Sequence, residues 1–196
     1  MKRSKICFLL IMIMFNNFFS KAQDKGSSDQ LVNREPCVAG QFYPGTESQL
    51  KSELKTLFAE AGPAVVSNTL AIISPHAGYV FSGGVAASAF NQIDPEKKYD
   101  RIFVIGSSHR TYFDGASIYN AGHYDTPLGT VRVDLDLAGH LIDEHQVFTY
   151  RPDAHTTEHS LEVQVPFLQY HMKQDFKIVP IVIATQSAKT IEKISE

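Results

Sequence analysis

The chain is short of cysteine, of positive charge and of long apolar runs, and each shortage removes a class of protein. Only Cys7 and Cys37 occur in 196 residues. Cys7 falls in an N-terminal leader that is expected to be removed, so Cys37 is left alone and no internal disulfide can form. A small buried side chain is the expected state of that thiol, with pairing between chains the alternative. Basic residues number 18 against 21 acidic ones. Four of the 18 and none of the 21 lie in residues 1–22, so the remaining 174 residues carry 14 basic against 21 acidic, a formal charge of −7. That balance excludes nucleic acid as a partner, because its binding needs clustered Lys and Arg to displace counterions. It argues equally against an anionic membrane surface. The apolar run at residues 6–15 is ten long, well short of the roughly 20 residues that cross a bilayer. There is no internal repeat and no low-complexity tract.

What is present begins with that same run. Lys2, Arg3 and Lys5 precede it, and Ser20-Lys21-Ala22 follows with small residues at −3 and −1 of a cut before Gln23. This is the layout of a secretory signal peptide, over residues 1–22. No cysteine stands just after the run to take a lipid, so export to the periplasm or medium, without a membrane in the mature form, is expected. Residues 23–35 are polar and aperiodic over most of their length and read as a flexible leader. The 174 residues beyond the cut suit one domain with a real core.

From Pro36 the texture changes. Thr46 stands where it can cap a helix over residues 47–61, with Gln49 three residues on as a capping box requires. Leu50, Leu54, Leu57 and Phe58 supply helical spacing there, and Gly62-Pro63 ends the element. Residues 70–74 (LAIIS) read as a short buried strand and residues 85–93 as a helix after the break at Gly83-Gly84. Residues 101–106 (RIFVIG) form a second buried strand. Residues 116–120 and 130–134 are shorter strands flanking a turn-rich stretch, and residues 135–145 a helix. Residues 156–172 read as a helix that Pro166 should bend. Residues 177–184 (KIVPIVIA) are a strand that Pro180 pushes toward a sheet edge or bulge. Alternation of this kind, with continuously apolar strands, predicts an α/β fold: a mostly parallel central sheet with flanking helices. Residues 187–196 begin a further amphipathic helix.

All eight histidines lie between His76 and His171. His76 follows the 70–74 strand by two residues, and His109 follows the 101–106 strand by three. If the intervening helix makes these a βαβ unit, both emerge at the carboxyl edge of one sheet, where open α/β folds place their sites. Neutral imidazole is a good ligand for iron, copper or zinc. An isolated loop histidine is more often simply bonded to backbone; two at matching strand ends shift that balance. Gly78, Gly83, Gly84 and Gly106 would let backbone approach a bound group. A second cluster, His155-Thr156-Thr157-Glu158-His159, matches the H-x-x-E-H pattern of inverted zinc peptidases. Three fixed positions in a histidine-rich chain are a permissive match, and the bland reading has Glu158 and Glu162 decorating a helix N-terminus. His123, His140, His145 and His171 read as surface or capping residues.

Five segments in order resemble the Memo family, known in bacteria as AmmeMemoRadiSam system protein B: residues 38–44 (VAGQFYP), 74–79 (SPHAGY) with Ser82-Gly83, 106–109 (GSSH), 125–129 (DTPLG) and 158–167 (EHSLEVQVPF). The resemblance covers residues 36–196. It implies a fold like the class III extradiol dioxygenases, with metal at the strand ends and His76 and His109 as ligands. It also implies that Glu158 and His159 line the cleft as catalytic residues. Members of the family continue past the position of Glu196, through a further metal ligand and an acid/base histidine, so the domain is expected to be C-terminally incomplete, about two-thirds of the family's. The export signal is unexpected for a family associated with the cell interior.

The function expected is that of a Memo-like metal-binding protein. Its cofactor would be a divalent ion, iron or copper rather than zinc, used in redox or oxygenase-type chemistry. The alternatives are a non-catalytic module holding a peptide or small molecule in the same cleft, and a zinc peptidase through His155, Glu158 and His159. Export carries its own expected outcome. Mass spectrometry of protein recovered outside the cytoplasm should find an N-terminus at or near Gln23, and an intact Met1 would count against it.

Overall fold

The structure, a computed structural model, describes residues 31–196; the expected signal peptide and residues 23–30 of the expected leader lie outside the described residues. Helices α1 (Glu47–Glu60) and α2 (Tyr79–Phe90) come first, then strand β1 (Arg101–Ser107). Strands β2 (Ala116–Ile118), β3 (Tyr124–Thr126) and β4 (Gly129–Val131) follow, then helix α3 (Leu135–Glu144) and strand β5 (Phe148–Thr149). A single-turn helix α4 (Pro152–His155), a 3-10 turn (Glu162–Gln164), helix α5 (Val165–His171), strand β6 (Lys177–Ile183) and helix α6 (Ala188–Ser195) complete the order.

The central sheet runs β1-β6-β2-β5, with β1–β6 and β2–β5 parallel and β2–β6 antiparallel. The expected α/β fold with a mostly parallel sheet and flanking helices is therefore what the chain forms. One face packs against α1, α2 and α5: Leu50, Leu54, Tyr79, Phe90 and Phe167 meet Val104, Ile178 and Val182. The Phe90 and Phe167 rings stack at 5.1 Å. On the other face α3 sets Ala138 against Ala116, Ile118, Val179 and Ile181, with Ile194 of α6 alongside.

β6 is central, not at an edge, despite Pro180. Lys177 N donates to Asp100 O and Ser108 N to Ile183 O, so odd-numbered residues of β6 face β1 and even-numbered ones face β2. Pro180 thus turns its nitrogen toward Tyr119, one residue past the end of β2. Its carbonyl still accepts from Tyr119 N at 3.2 Å, so the missing N–H costs only the return bond of the last pair.

Other expectations need correction. Gly83 and Gly84 do not break a helix but lie inside α2. A Cβ on Gly83 would come within 2.9 Å of Leu57 Cδ1, so glycine here lets α1 and α2 approach each other. Thr46 does not cap the backbone of α1; its hydroxyl donates to Gln49 Oε1 at 2.7 Å instead. Pro166 does not bend a long helix but starts α5, where its missing N–H is harmless. Residues 70–74 form no strand, and Leu70 and Ile73 are almost fully exposed.

The final residues of the expected leader belong to the fold. Val32 N donates to Ala121 O, and Arg34 bridges to Tyr124. Arg34 is buried and paired with the equally buried Glu162. It also donates to the carbonyls of His155 at 3.2 Å and Glu158 at 2.6 Å. The Glu162 carboxylate takes further bonds from Cys37 N at 2.8 Å, Val38 N at 3.0 Å and the Tyr43 hydroxyl at 2.7 Å. Removing one member of such a pair strands a buried charge. Arg34→Ala should cost about 3–5 kcal/mol in urea denaturation, and a loss below about 1 kcal/mol, as for exposed pairs, would show the pair to be dispensable.

Candidate metal centre

His76, His109 and His159 converge. Their ligand-capable nitrogens all lie within 4.8 Å of one another, and their ring centroids are 5.1 Å (His76–His109), 4.5 Å (His109–His159) and 5.8 Å (His76–His159) apart. His76 sits on the turn that leads into α2. Gln164 Nε2 holds that turn by donating to Pro75 O at 3.0 Å, and Ser82 Oγ donates to Ala77 O at 3.1 Å. His109 leaves the carboxyl end of β1, where Ser108 N still bonds to Ile183 O. His159 follows α4 and meets the edge of the Phe42 ring at 4.9 Å.

Glu158 organises the cluster. Its Oε2 accepts from His109 N at 2.6 Å; its Oε1 accepts from His159 N at 2.9 Å and Ser160 N at 2.8 Å, and lies 2.9 Å from His109 Nδ1. Burial alone would raise the pKa of this carboxyl, but the N–H groups of His109 and Ser160 and the His109 imidazole outweigh burial and hold it at about 2. An ionised carboxylate accepts only, so His109 carries a proton on Nδ1, which leaves Nε2 as the nitrogen that can face a metal. A carboxylate behind a histidine in this way is the usual outer support of a metal ligand. Burial, then the neighbouring imidazole of His109, lowers the pKa of His76; burial, despite Glu158, lowers that of His159. Neutral rings are what a metal requires. Three converging imidazoles, two with lowered pKa values, fit a divalent ion.

The glycines named above differ in what they admit. A Cβ on Gly106 would strike Ser160 Oγ at 2.5 Å and Leu161 Cδ1 at 2.6 Å, so Gly106, like Gly83, admits protein. Gly78 lines the cleft beside His76.

The H-x-x-E-H reading fails on geometry. His155 is buried apart from the cluster, with Nε2 3.0 Å from Ser117 Oγ and Nδ1 3.2 Å from the Tyr124 hydroxyl. Burial, then Arg34, lowers its pKa to about 3. Both ring nitrogens are engaged, and α4 ends at His155, so no helix face is shared with His159. Nor do Glu158 and Glu162 decorate a solvated helix end; both are buried.

The Memo-like protein family matches residues 34–196. The chain belongs to the Memo family. A MEMO1 family protein of Sulfurisphaera tokodaii is 39% identical over 173 residues, covering 83% of this chain and 61% of its own length. MEMO1 family proteins of Saccharolobus islandicus and Saccharolobus solfataricus are 35% and 36% identical over 175 residues, covering 84% of this chain and 62% of theirs. The chain thus spans about three-fifths of the length of these Memo relatives. Within the Memo fold seen here, Arg34, Glu162 and Gln164 are residues that sequence reasoning missed. Two acids four apart beside an apolar run were the available signal, but no pattern pointed to their distant partner Arg34.

Glu158→Gln separates the carboxylate's contribution from the rest. A folded pKa of about 2 against an ordinary 4.5 means the stabilisation is complete above pH 4.5 and is lost as pH falls toward 2. Wild type should be more stable than the variant at pH 7, and the gap should narrow steadily below pH 4.5 in urea titrations. A gap independent of pH would show that the ionised form contributes nothing.

Proposed function

We propose that this chain is a metal-binding member of the Memo family, in which His76, His109 and His159 hold one divalent ion. The single observation that carries this reading is the convergence of three imidazoles on one point, two of them with depressed pKa values. Iron or copper is preferred to zinc. Copper binds nitrogen sites more tightly than zinc in the general affinity order, and the resemblance to extradiol dioxygenases, whose ions keep open coordination positions, favours iron. Either ion supplies one-electron redox chemistry, and the proposed activity is of redox or oxygenase type.

The chain's own residues do the positioning. Glu158 fixes the His109 tautomer and ring orientation. Gln164 holds the turn that carries His76. The cluster opens into a cleft of about 890 Å³ lined by Phe42, Ile73, Pro75, Val80, Phe81 and Val85 besides the histidines. Ile73, Val80, Phe81 and Val85 are themselves exposed, so the cleft is open to water and suits a ligand whose apolar body would cover them. The same cleft supports the second reading, a module that binds a small molecule or peptide without catalysis. Export of the mature chain is part of the proposal and rests on the leader sequence alone.

Metal titration decides between these readings. Binding of Fe(II), Cu(II) and Zn(II) would be measured calorimetrically for wild type and for His76→Ala, His109→Ala, His159→Ala and His155→Gln. Loss of an outer support typically costs about 10–100-fold in affinity, so loss of a ligand should cost at least that in the first three variants. The His155→Gln affinity should stay within about threefold of wild type, given the usual spread of such effects. No binding by wild type would favour the ligand module, and unchanged affinity in the first three variants would remove the centre.

A further inference from the structure

The chain is acidic, yet its cations are not spread evenly. Seven of the 14 basic residues in positions 23–196 line two adjoining cavities, against only Asp100, Asp134 and Asp175 of the 21 acids. The larger cavity, about 630 Å³, is walled by α1, the end of β4 and the loop 172–176. Its cations are Lys51, Lys55, Arg132 and Lys173, and its one acid is Asp175. Lys51 and Lys173 have exposed partners in Glu47 and Glu96. Lys55 and Arg132 have no acidic partner among the described residues. Lys51 and Lys55 stand four apart on α1, where like charges repel. Arg132 is fixed from behind: Val131 and Val133 on either side are buried, and its carbonyl accepts from Ile178 N at 2.9 Å. In an extended stretch its side chain therefore projects away from the core. On the third wall, the N–H groups of Gln174, Asp175 and Phe176 meet no acceptor among the described residues. Val131 and Met172, both buried, line the same cavity with Leu128 and Phe176.

We propose that this cavity binds a small phosphate monoester with an apolar body, its phosphoryl group seated between Lys55, Arg132 and the 174–176 loop. None of the three clustered histidines lines the cavity, so the site is independent of the metal. A carboxylate is planar and carries one charge. A phosphoryl group carries nearly two and offers three acceptor oxygens. Donors that arrive from a helix, a strand end and a loop come from three sides and suit the second shape. Arg132 can grip two oxygens at once, while Lys55 acts as a point charge. The bound anion also offsets the repulsion between Lys51 and Lys55. The cavity volume lies within the range of small-molecule sites, roughly 300–1,000 Å³, and Leu128 and Phe176 give the ester's body an apolar wall. A nucleic-acid strand, which would run on past the cavity, meets Glu47, Glu96 and Asp175 around it.

The test titrates the metal-free chain with phenyl phosphate, inorganic phosphate and benzoate at about pH 8, above the second phosphate pKa of about 6. Calorimetry gives affinity, and amide NMR shifts give the place. Phenyl phosphate is expected to bind 1:1 and to shift the amides of Gln174, Asp175 and Phe176. It should bind about tenfold more tightly than benzoate, the effect of one further charge-assisted hydrogen bond. Arg132→Gln should weaken it roughly tenfold or more for the same reason. Lys55→Gln should weaken it about threefold, as the loss of an exposed point charge does. Both side chains are exposed, and urea denaturation checks that the fold is kept. Lys189→Gln removes an exposed cation on α6, away from the cavity, and should leave the affinity unchanged. No binding by wild type, shifts at the histidines in place of the 174–176 loop, or an equal loss in Lys189→Gln would overturn the site. Benzoate as tight as phenyl phosphate would overturn the phosphate assignment, and inorganic phosphate as tight as phenyl phosphate would overturn the apolar body.

Discussion

Everything around the histidines hangs on one buried ion pair, Arg34 with Glu162. A pair of this kind contributes little net energy compared with apolar residues of the same volume, because desolvation offsets attraction. Its effect is positional. The guanidinium reaches the carbonyls of His155 and Glu158, while the carboxylate collects the N–H groups of Cys37 and Val38 and the Tyr43 hydroxyl. The entry segment, the hairpin strand at Tyr124 and the 155–162 stretch are thereby held in one arrangement. With its backbone fixed, Glu158 can present its carboxylate to the turn that carries His109.

That arrangement explains why residues 156–164 are not a helix. On a continuous helix Glu158 and Glu162, four apart, would lie side by side, and like charges at that spacing repel. Burying both together would be worse still. The break through Ser160 and Leu161 sends the two carboxylates to different cations and donors. Glu162 meets Arg34, and Glu158 meets the His109 turn. The same irregular stretch supports all three histidines: it contains His159, orients His109 through Glu158 and pins the His76 turn through Gln164. One short segment thus sets the geometry of the cluster.

Elements whose apolar period matches their burial were legible beforehand. Leu50 and Leu54 of α1, the α3 stripe and β6 fall where periodicity put them. His76 and His109 could be paired from their offsets after two apolar runs, although only the run before His109 is a strand and the βαβ unit expected around them does not form. His159 could be noticed as a residue but not placed with the other two, because its position depends on a turn and not on a regular element. Arg34 was invisible: a single arginine in a polar stretch carries no period, and its partner lies 128 positions away. Pro180 misled because the rule against proline in central strands assumes a full pair at that rung, and here, one residue past the end of β2, a single bond from Tyr119 N to the Pro180 carbonyl suffices.

The remaining failures fall in one place. Residues 70–74 read as a buried strand, and the odd-numbered positions of β1 read as buried on both faces, yet Leu70, Ile73, Phe103 and Ile105 are exposed. Elsewhere the same rule holds: β6, with the same composition, is buried from Ile178 to Val182. A rule that works on one strand and fails on two facing segments points to their surroundings and not to their composition. Sequences this apolar are shaped by burial, since leaving Leu or Ile in water forgoes about 1.5–3 kcal/mol for each side chain. Position decides the difference: β6 is paired on both sides, β1 on one side, and residues 70–73 make no backbone bond among the described residues, so exposure rises as paired edges are lost.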